Sequence, residues 1–125
     1  MILPDAGDIA WVDLDDVRGT EQAGRRPALV LTSREFHETS RRAVICPITL
    51  KIRNWPTNVV LPAGLEIAGE IMVDQIRSID RTERMFAIVE KAPAKTLRDV
   101  RIKVAVMLGM DFGVLVETPG RPERA

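Results

Sequence analysis

The stretch GTEQAGRRPALVLTS (residues 19–33) joins a polar, glycine-containing segment to an aliphatic run. Pro27 has no N–H to donate, so it can open a strand but not occupy the middle of one, and the aliphatic residues behind it favour a strand. The segment before it carries charge and two glycines without an apolar period, which is typical of a long loop. We therefore predict that a loop meets a strand at Pro27, with Arg25 and Arg26 at the junction.

Short apolar runs on both sides of this junction predict a sheet of many strands. DIAWVDL alternates as a strand does, and the later runs are rich in the aliphatic residues that strands prefer. Pro47 implies that its strand lies at an edge or carries a bulge. The predicted strands are DIAWVDL (8–14), PALVLTS (27–33), AVICPITL (43–50), TNVVLP (57–62), one or two within IMVDQIRSID (71–80), and MFAIVEKA (85–92). We expect the sheet to be mostly antiparallel.

Helical signals occur at two places. Ser33 suits the N-cap of one helical turn in REFHETSRR (residues 34–42), with Phe36 as an apolar contact. Between Pro93 and Gly109, apolar residues recur at helical spacing, which predicts a C-terminal helix. The residues of that stripe are Leu97, Val100, Val104, Met107 and Leu108. The predicted fold class is mainly β with a C-terminal helix, in which a small, curved, partly open β-barrel packs against that helix.

The composition is that of an ordinary globular protein. The 125 residues are 46% hydrophobic and 29% charged, and 18 basic side chains balance 18 acidic ones, so no global basic field steers the chain to nucleic acid. The single cysteine, Cys46, excludes an intramolecular disulfide. The start is unlike a signal peptide and no apolar run has membrane-spanning length, so we expect a cytoplasmic protein. We predict one domain over residues 1–110 and an extension over residues 111–125 whose distal part is disordered.

Three other patterns favour a structural interpretation over a functional one. The glycines of GTEQAG imitate a phosphate-binding loop, but arginines stand where lysine and serine or threonine are required, and a strand follows. Asp13, Asp15 and Asp16 lack the glycine and glutamate of a calcium loop, so a solvated acidic loop is favoured. His37, the only histidine, belongs to the residue type best suited to general-base chemistry near neutral pH. An exposed side chain in a charged connector is nevertheless its favoured interpretation.

The segment KIRNWP (residues 51–56) has the composition of an RNA-binding loop. It combines two cations, an amide and a large aromatic ring: Lys51, Arg53, Asn54 and Trp55. Proteins bind single-stranded RNA by stacking bases on aromatic rings beside cations that neutralise phosphates. The structural alternative is that the tryptophan covers one end of the core. Arg26 also suits a phosphate, because Pro27 fixes its backbone and a guanidinium can donate two hydrogen bonds at once.

Three separated stretches, GDIAWVDLDDVRGTEQAGRRPALVLT, CPIT…WPTNVVLP and VDQIRSID, together resemble the MazF/PemK-like toxins of bacterial toxin–antitoxin pairs. The resemblance spans about residues 7–109. It implies a β-barrel of the Src-homology-3 type, a homodimer, and a sequence-specific endoribonuclease that cleaves single-stranded mRNA without a metal or another cofactor. It also implies a neutralising antitoxin whose acidic, disordered tail lies over the RNA groove.

The resemblance also implies roles for individual residues. Arg26 and Thr49 correspond to the family's catalytic pair, and Glu21 of the GTEQAG loop is also implicated. The residues implied to bind RNA are Gln22, Gly24, Arg25, Lys51, Arg53, Asn54, Trp55, Gln75 of the VDQIRSID strand, Arg77 and Ser78. Leu50 follows Thr49 where many relatives have a hydroxyl residue, a departure that bears on RNA preference.

The proton acceptor and the function class both have alternatives. An arginine side chain stays protonated in nearly every environment, so Glu21, or with less support His37, is better suited than Arg26 to accept a proton. CcdB-like toxins share the barrel, bind a subunit of DNA gyrase and have no nuclease chemistry, so the fold alone does not separate the two classes. A catalytically silent RNA-binding module is a third alternative.

Overall fold

The structure, a computed structural model, describes residues 2–14 and 24–111. The strands in that part of the chain are β1 (Asp8–Asp13), β2 (Arg25–Val30), β3 (Arg42–Thr49), β4 (Asn58–Val60), β5 (Glu70–Met72), β6 (Arg77–Asp80) and β7 (Met85–Lys91). The helices are α1 (Arg34–Thr39), α2 (Arg81–Arg84) and α3 (Ala94–Met107), with a 3₁₀ turn over Val73–Gln75. Residues 15–23 of the predicted loop (15–26) and residues 112–125 of the predicted extension (111–125) lie outside the described residues.

The strand pairings in the described sheet are antiparallel, as the sequence predicts. The strand order is β4-β5-β3-β2-β1-β7, and β6 also pairs with β3. Strand β3 therefore contacts β2 along one side, and first β6 and then β5 along the other. The predicted class, mainly β with a helix at the carboxyl end, is confirmed.

The proline of β3 lies in a gap of the hydrogen-bond ladder. Strand β6 pairs with β3 as far as Ile45, and β5 pairs with it from Ile48. Pro47 therefore has a paired strand only on the β2 side, where it lies opposite Ala28. A proline cannot donate to a ladder, and this gap accommodates it. The predicted edge-like surroundings of Pro47 are thus confirmed for one side of the strand.

The predicted start of β2 is wrong. Strand β2 begins at Arg25, and Pro27 lies inside it, opposite Trp11 of β1. The pairing with β3 begins only at Ala28, so Pro27 also has a paired strand on one side alone. Arg25 and Arg26 are consequently strand residues whose backbone is fixed by β1.

Two buried clusters occupy the two faces of this sheet. Alternate residues of a strand point to opposite faces, and the clusters follow that alternation. The helix-side cluster includes Ile9, Leu29, Cys46, Ile48, Ile71 and Val100. The far-side cluster includes Val12, Ala28, Val30, Ile45 and Ile79. A curved sheet buried on both faces is what the apolar strands of the sequence predict.

Helix α3 packs on the helix-side cluster and ends as predicted. Val100 is fully buried, while Leu97 and Val104 pack at its margin. Gly109 has a φ of +68°, and Met110 N–H donates to the carbonyl of Ala105, which is the Schellman arrangement that ends many helices. In the part of the chain that the structure describes, no helix is both long and apolar enough to cross a membrane.

Gly69 permits the close approach of β5 to the end of β3. Its φ is +138°, and a Cβ built on it would lie 2.1 Å from the main-chain oxygen of Thr49. Side chains rarely adopt that backbone conformation, and the main-chain oxygen has no room to retreat without moving β3.

Gly69→Ala should therefore destabilise the protein by roughly 3 kcal/mol or more, because β5 must move away from Thr49. Gly64→Ala is the matched control. Gly64 also has a positive φ, +96°, but no described atom lies within 4 Å of the added Cβ, so the loss should be about 1 kcal/mol from backbone strain alone. Urea unfolding measures both variants, and equal losses would contradict the steric explanation.

Candidate active site

Arg26 and Thr49 lie at the same end of neighbouring strands. In the β2–β3 ladder, Ala28 lies opposite Pro47. Arg26 comes two residues before Ala28 in β2, and Thr49 comes two residues after Pro47 in β3. Continued over these two residues, the same antiparallel register puts Arg26 level with Thr49. Residues that are level in this way project on the same face of a sheet. The two predicted catalytic residues therefore lie at the same end of the sheet, on its far-side face.

Thr49 is the more deeply buried residue of this pair. It is only 3% exposed, and its hydroxyl oxygen accepts a hydrogen bond from the main-chain N–H of Lys51 at 3.3 Å. Glu70 of β5 is its partner in the ladder on the other side. Arg26 is half-buried and lies opposite Val12 of β1. The pair thus combines a cationic donor with a buried hydroxyl whose oxygen is held by the Lys51 N–H.

Arg25 projects on the opposite face of β2 from Arg26, because neighbouring strand residues alternate. Its guanidinium carbon lies 5.0 Å from the centroid of the Phe86 ring of β7, a cation–π contact. Both side chains are exposed. Arg25 is therefore an accessible cation beside an aromatic ring and is separate from the Arg26–Thr49 pair.

A buried carboxylate holds the 50–57 loop, which connects β3 to β4. Glu70 is fully buried, and its oxygens accept hydrogen bonds from the main-chain N–H of Arg53 at 3.0 Å, the main-chain N–H of Asn54 at 2.9 Å and the side-chain amide of Asn58 at 3.0 Å. The Asn58 hydrogen bond, and then the two main-chain donors, hold the pKa of Glu70 below its ordinary value of 4.5 although burial opposes them. The carboxylate is therefore ionised at neutral pH.

The 50–57 loop presents a cation stacked on an aromatic ring. The guanidinium carbon of Arg53 lies 4.8 Å from the centroid of the Trp55 ring. Trp55 is 46% exposed, so nearly half of its surface remains open to solvent. Asn54 has a φ of +56°, and Lys103 of α3 donates to the carbonyl of Pro56. Both halves of the loop are thus fixed while its polar side chains, including Lys51, remain exposed.

The remaining predicted RNA-binding residues follow β5. Gln75 lies in the 3₁₀ turn and not on a strand, because the chain must turn there between β5 and β6. Arg77 lies opposite Ile45, which puts it on the same face of the sheet as Arg26 and Thr49. The Ser78 hydroxyl accepts a hydrogen bond from Nε of Arg42 at 3.0 Å. Residues that line the adjoining polar cavity of about 650 Å³ include Asp13, Arg42, Arg77, Ser78 and Arg84.

Glu21 and Gln22 lie outside the described residues, but the two ends of their loop are placed. The main-chain N–H of Leu14 donates to the carbonyl of Gly24 at 2.9 Å, and Gly24 has a φ of +79°. The loop therefore leaves and re-enters the sheet next to Arg25 and Arg26.

The predicted exposure of His37 is wrong. It is buried, with Nδ1 2.7 Å from the carbonyl oxygen of Pro4 and Nε2 2.7 Å from the hydroxyl of Thr32. Ser33 caps α1 as predicted, and this brings the imidazole inward. Since both ring nitrogens are engaged within the fold, His37 anchors α1 to the sheet and is not placed to take a proton from a substrate.

Residues 5–108 match the family described as "PemK-like, MazF-like toxin of type II toxin-antitoxin system". The chain belongs to this family. The resemblance predicted from the sequence is confirmed, and the match favours the MazF/PemK-like interpretation over the CcdB-like one.

Individual relatives of this MazF/PemK-like toxin match most of its length. The endoribonuclease toxin MazF of Escherichia coli (strain K12) is 34% identical over 107 residues, which cover 86% of this chain and 96% of that protein. The crystal structure of MazF from Deinococcus radiodurans superposes with a TM-score of 0.84 at 37% identity and covers 88% of this chain and 100% of that one. A MazE–MazF complex from the same organism gives a TM-score of 0.77 at 34% identity, with 89% of this chain and 100% of that chain covered.

Sequence reasoning missed Glu70, which holds the loop of this toxin. The stretch AGLEIAGE has the composition of a turn, and this disguised the start of β5. A usable signal was the pair of polar residues at the heads of two short aliphatic runs, Asn58 before VV and Glu70 before IM. Such residues lie at the ends of neighbouring strands and can hydrogen-bond across them.

Glu70 should make the stability of the toxin depend on pH. Its pKa is lowered in the folded state, so the ionised side chain contributes its full stability above the unfolded value of 4.5, and this contribution is lost as the pH falls through the folded value. The free energy of unfolding should therefore decline at acidic pH less steeply in Glu70→Gln than in the wild type. Denaturant unfolding at a series of pH values measures this, with Glu66→Gln, a change at an exposed glutamate, as the control. Parallel curves for all three proteins would contradict the assignment.

Proposed function

We propose that this toxin is a sequence-specific, metal-independent endoribonuclease that cleaves single-stranded mRNA through the RNA's own 2′-hydroxyl. The enzyme class predicted from the sequence is confirmed by curated relatives named as endoribonucleases, including EndoA of Bacillus subtilis at 31% identity. The observation that carries the mechanism is the register that places Arg26 level with Thr49 at the open ends of β2 and β3.

RNA supplies its own nucleophile in this reaction. The 2′-oxygen loses its proton and bonds to the adjacent phosphorus, and the bond from that phosphorus to the 5′-oxygen of the next nucleotide breaks. The leaving oxygen takes up a proton, so the products carry a 2′,3′-cyclic phosphate and a 5′-hydroxyl. The protein has to align the attacking oxygen, stabilise the charge on the pentacoordinate phosphorus, and move two protons.

Arg26 and Thr49 suit charge stabilisation. A guanidinium can donate two parallel hydrogen bonds to phosphate oxygens. The residues before and after Arg26 both belong to β2, which limits the movement of its backbone. The Thr49 oxygen accepts from the Lys51 N–H, which leaves the hydroxyl proton for a non-bridging phosphate oxygen. Donors that are held before the substrate binds need no rearrangement during the reaction.

Glu21 is the proton acceptor in this proposal. A carboxylate can take a proton from the 2′-hydroxyl, whereas a guanidinium cannot. The loop that carries Glu21 starts and ends beside Arg26, since Leu14 and Gly24 are hydrogen-bonded to each other. His37, the alternative base, is buried and has both ring nitrogens engaged.

The RNA is bound along the surface that adjoins this pair. The Arg53–Trp55 stack offers a ring for an unpaired base beside a cation for a phosphate, and Lys51 adds a second cation. Further contacts on this side come from Gln22, Gly24, Asn54, Gln75 and Arg77. Arg25 and Ser78 project on the other face of their strands and contact RNA that extends beyond the reacting phosphate. Leu50 is 67% exposed next to Thr49 and presents an apolar group to the bound nucleotide.

The toxin acts in the cytoplasm as a homodimer and is neutralised by an antitoxin. Relatives from Deinococcus radiodurans have been crystallised as MazE–MazF complexes. An acidic, disordered antitoxin tail suits a cationic groove on a protein whose net charge is zero.

The end of α3 supports the dimer, because Val106 and Leu108 are each more than 60% exposed and form an apolar surface that a second copy would cover. Residues 1–110 act as one toxin domain, followed by the extension at 111–125.

Arg26→Ala should lower kcat by about 10²–10³-fold, because it removes a donor to the charge that develops in the transition state. Arg25→Ala is the neighbouring comparison. It should raise KM and leave kcat unchanged, because Arg25 is proposed to bind RNA but projects on the other face of β2, away from the reacting phosphate. Arg98→Ala, a change on the exposed face of α3, should leave both constants unchanged. Cleavage of a short RNA under steady-state conditions measures all three, and full activity of Arg26→Ala would exclude the proposed site.

Replacing the 2′-hydroxyl at the scissile nucleotide with hydrogen should abolish cleavage without abolishing binding, because the nucleophile is lost and the phosphates remain. Cleavage of the all-ribose RNA should persist in excess EDTA. Mapping the new ends of a long RNA provides the scissile position and the end chemistry. Cutting of the 2′-deoxy substrate, or inhibition by EDTA, would point to a different nucleophile or to a metal-dependent reaction.

A further inference from the structure

We propose that Glu70 is a positioning residue that holds the 50–57 loop in its RNA-binding shape before RNA arrives. The inference rests on the proposed function, because it concerns how that site achieves its affinity for RNA. Both carboxylate oxygens of the buried Glu70 side chain are engaged by Arg53, Asn54 and Asn58, so Glu70 acts through the residues that it holds.

The contacts of Glu70 fix the loop at consecutive residues. Oε1 accepts from the main-chain N–H of Arg53 and from the Asn58 side chain, while Oε2 accepts from the main-chain N–H of Asn54. Two adjacent main-chain donors aimed at one carboxylate define the backbone direction at Arg53. Asn54 has a left-handed φ of +56° at this point, a conformation that asparagine tolerates better than most residues.

This backbone direction sets the surface that RNA meets. The Arg53 guanidinium lies over the Trp55 ring, and the Trp55 carbonyl accepts from the main-chain N–H of Asn58. A loop whose backbone is already ordered in this way loses less conformational entropy when a base stacks on it. Glu70 should therefore contribute to RNA affinity without contacting RNA.

Glu70 also connects this loop to the end of β3 that carries Thr49. It is the ladder partner of Thr49, and Gly69 beside it lies against the Thr49 main chain. The side chain of Glu70 reaches the loop, whereas its backbone supports β3. A change restricted to the side chain should therefore affect the loop and leave the position of Thr49 intact.

Glutamine cannot replace this carboxylate, although it has the same shape. If the glutamine NH₂ takes the place of Oε2, it faces the N–H of Asn54. If it takes the place of Oε1, it faces the N–H of Arg53 and the amide of Asn58. In either orientation a donor faces a donor, and the loop loses at least one of its anchors.

The test compares wild-type protein with Glu70→Gln and with the control Glu66→Gln, the same chemical change at an exposed position. Cleavage of a short single-stranded RNA gives kcat and KM, and binding of the same RNA with a 2′-deoxy scissile nucleotide gives Kd. Hydrogen exchange followed by NMR measures how well the main-chain amides of Arg53 and Asn54 are protected.

We expect Glu70→Gln to raise KM and Kd about tenfold, the usual size for a lost hydrogen bond to a charged group. Its kcat should stay within about threefold of the wild type, on the same reasoning that Thr49 is undisturbed.

Exchange at Arg53 and Asn54 should be slow in the wild type and in Glu66→Gln, and fast in Glu70→Gln. Unchanged KM and Kd in a folded Glu70→Gln protein would overturn the proposal, and so would a fall in kcat alone. Fast exchange of both amides in the wild type would overturn it without any variant. A wild-type protein that binds the 2′-deoxy RNA but leaves all-ribose RNA intact would instead refute the nuclease function, and the Kd comparison would still decide the role of Glu70.

Discussion

The main-chain ladder of β3 is the constraint on which the rest of the site depends. Strand β3 exchanges β6 for β5 as its partner between Ile45 and Ile48, while β2 continues along its other side. Proline at position 47 cannot donate a hydrogen bond, so this part of the strand is suited to the exchange. Because β6 pairs with β3 only as far as Ile45, the last part of β3 extends beyond β6 and ends at Thr49. There Thr49 pairs with Glu70 of β5, and the register of β2 puts Arg26 level with it on the other side.

In the part of the chain that the structure describes, three carboxylates, those of Glu70, Glu90 and Asp5, each accept main-chain N–H groups from a connecting segment. Glu70 receives the amides of the 50–57 loop, and Glu90 receives those of Glu66 and Ile67 at 2.9 and 2.8 Å. Asp5 similarly accepts from Arg34 and Ala6, and these contacts lower its pKa. A small barrel has short strands and long connections, so much of its polar backbone lies outside the ladders. Acidic side chains satisfy these donors and position the connections at the same time.

The predictable parts of the fold were those with a local cause. The stripe from Leu97 to Val104 predicts α3, Gly109 marks its end, and Ser33 caps α1, because each depends on nearby residues. The place of Pro27 inside β2 could not be predicted locally, because it depends on the pairing of β1 with Arg25 and Arg26 and on β3 pairing only from Ala28. His37 was misjudged for a similar reason, since Pro4 and Thr32 approach it only in the folded chain.

The site was predictable only in part. The family motifs singled out Arg26 and Thr49, but their common face follows from a register that no local pattern contains. The donors to Glu70 include two main-chain amides, which exist at nearly every position and carry no signal in the side-chain sequence. A glutamate after alanine and glycine therefore looks like part of a turn until the fold brings the loop to it.

Holding a loop by its main chain separates its shape from the identity of its side chains. The amide that Glu70 receives from position 53 is present in every amino acid except proline, and position 54 asks mainly for tolerance of a left-handed backbone. Arginine at position 53 and tryptophan at position 55 can thus be exchanged while the frame that displays them persists. If the proposed function holds, substitutions at these two surface positions change which RNA sequence is bound and leave the fold and the Arg26–Thr49 end of the sheet in place.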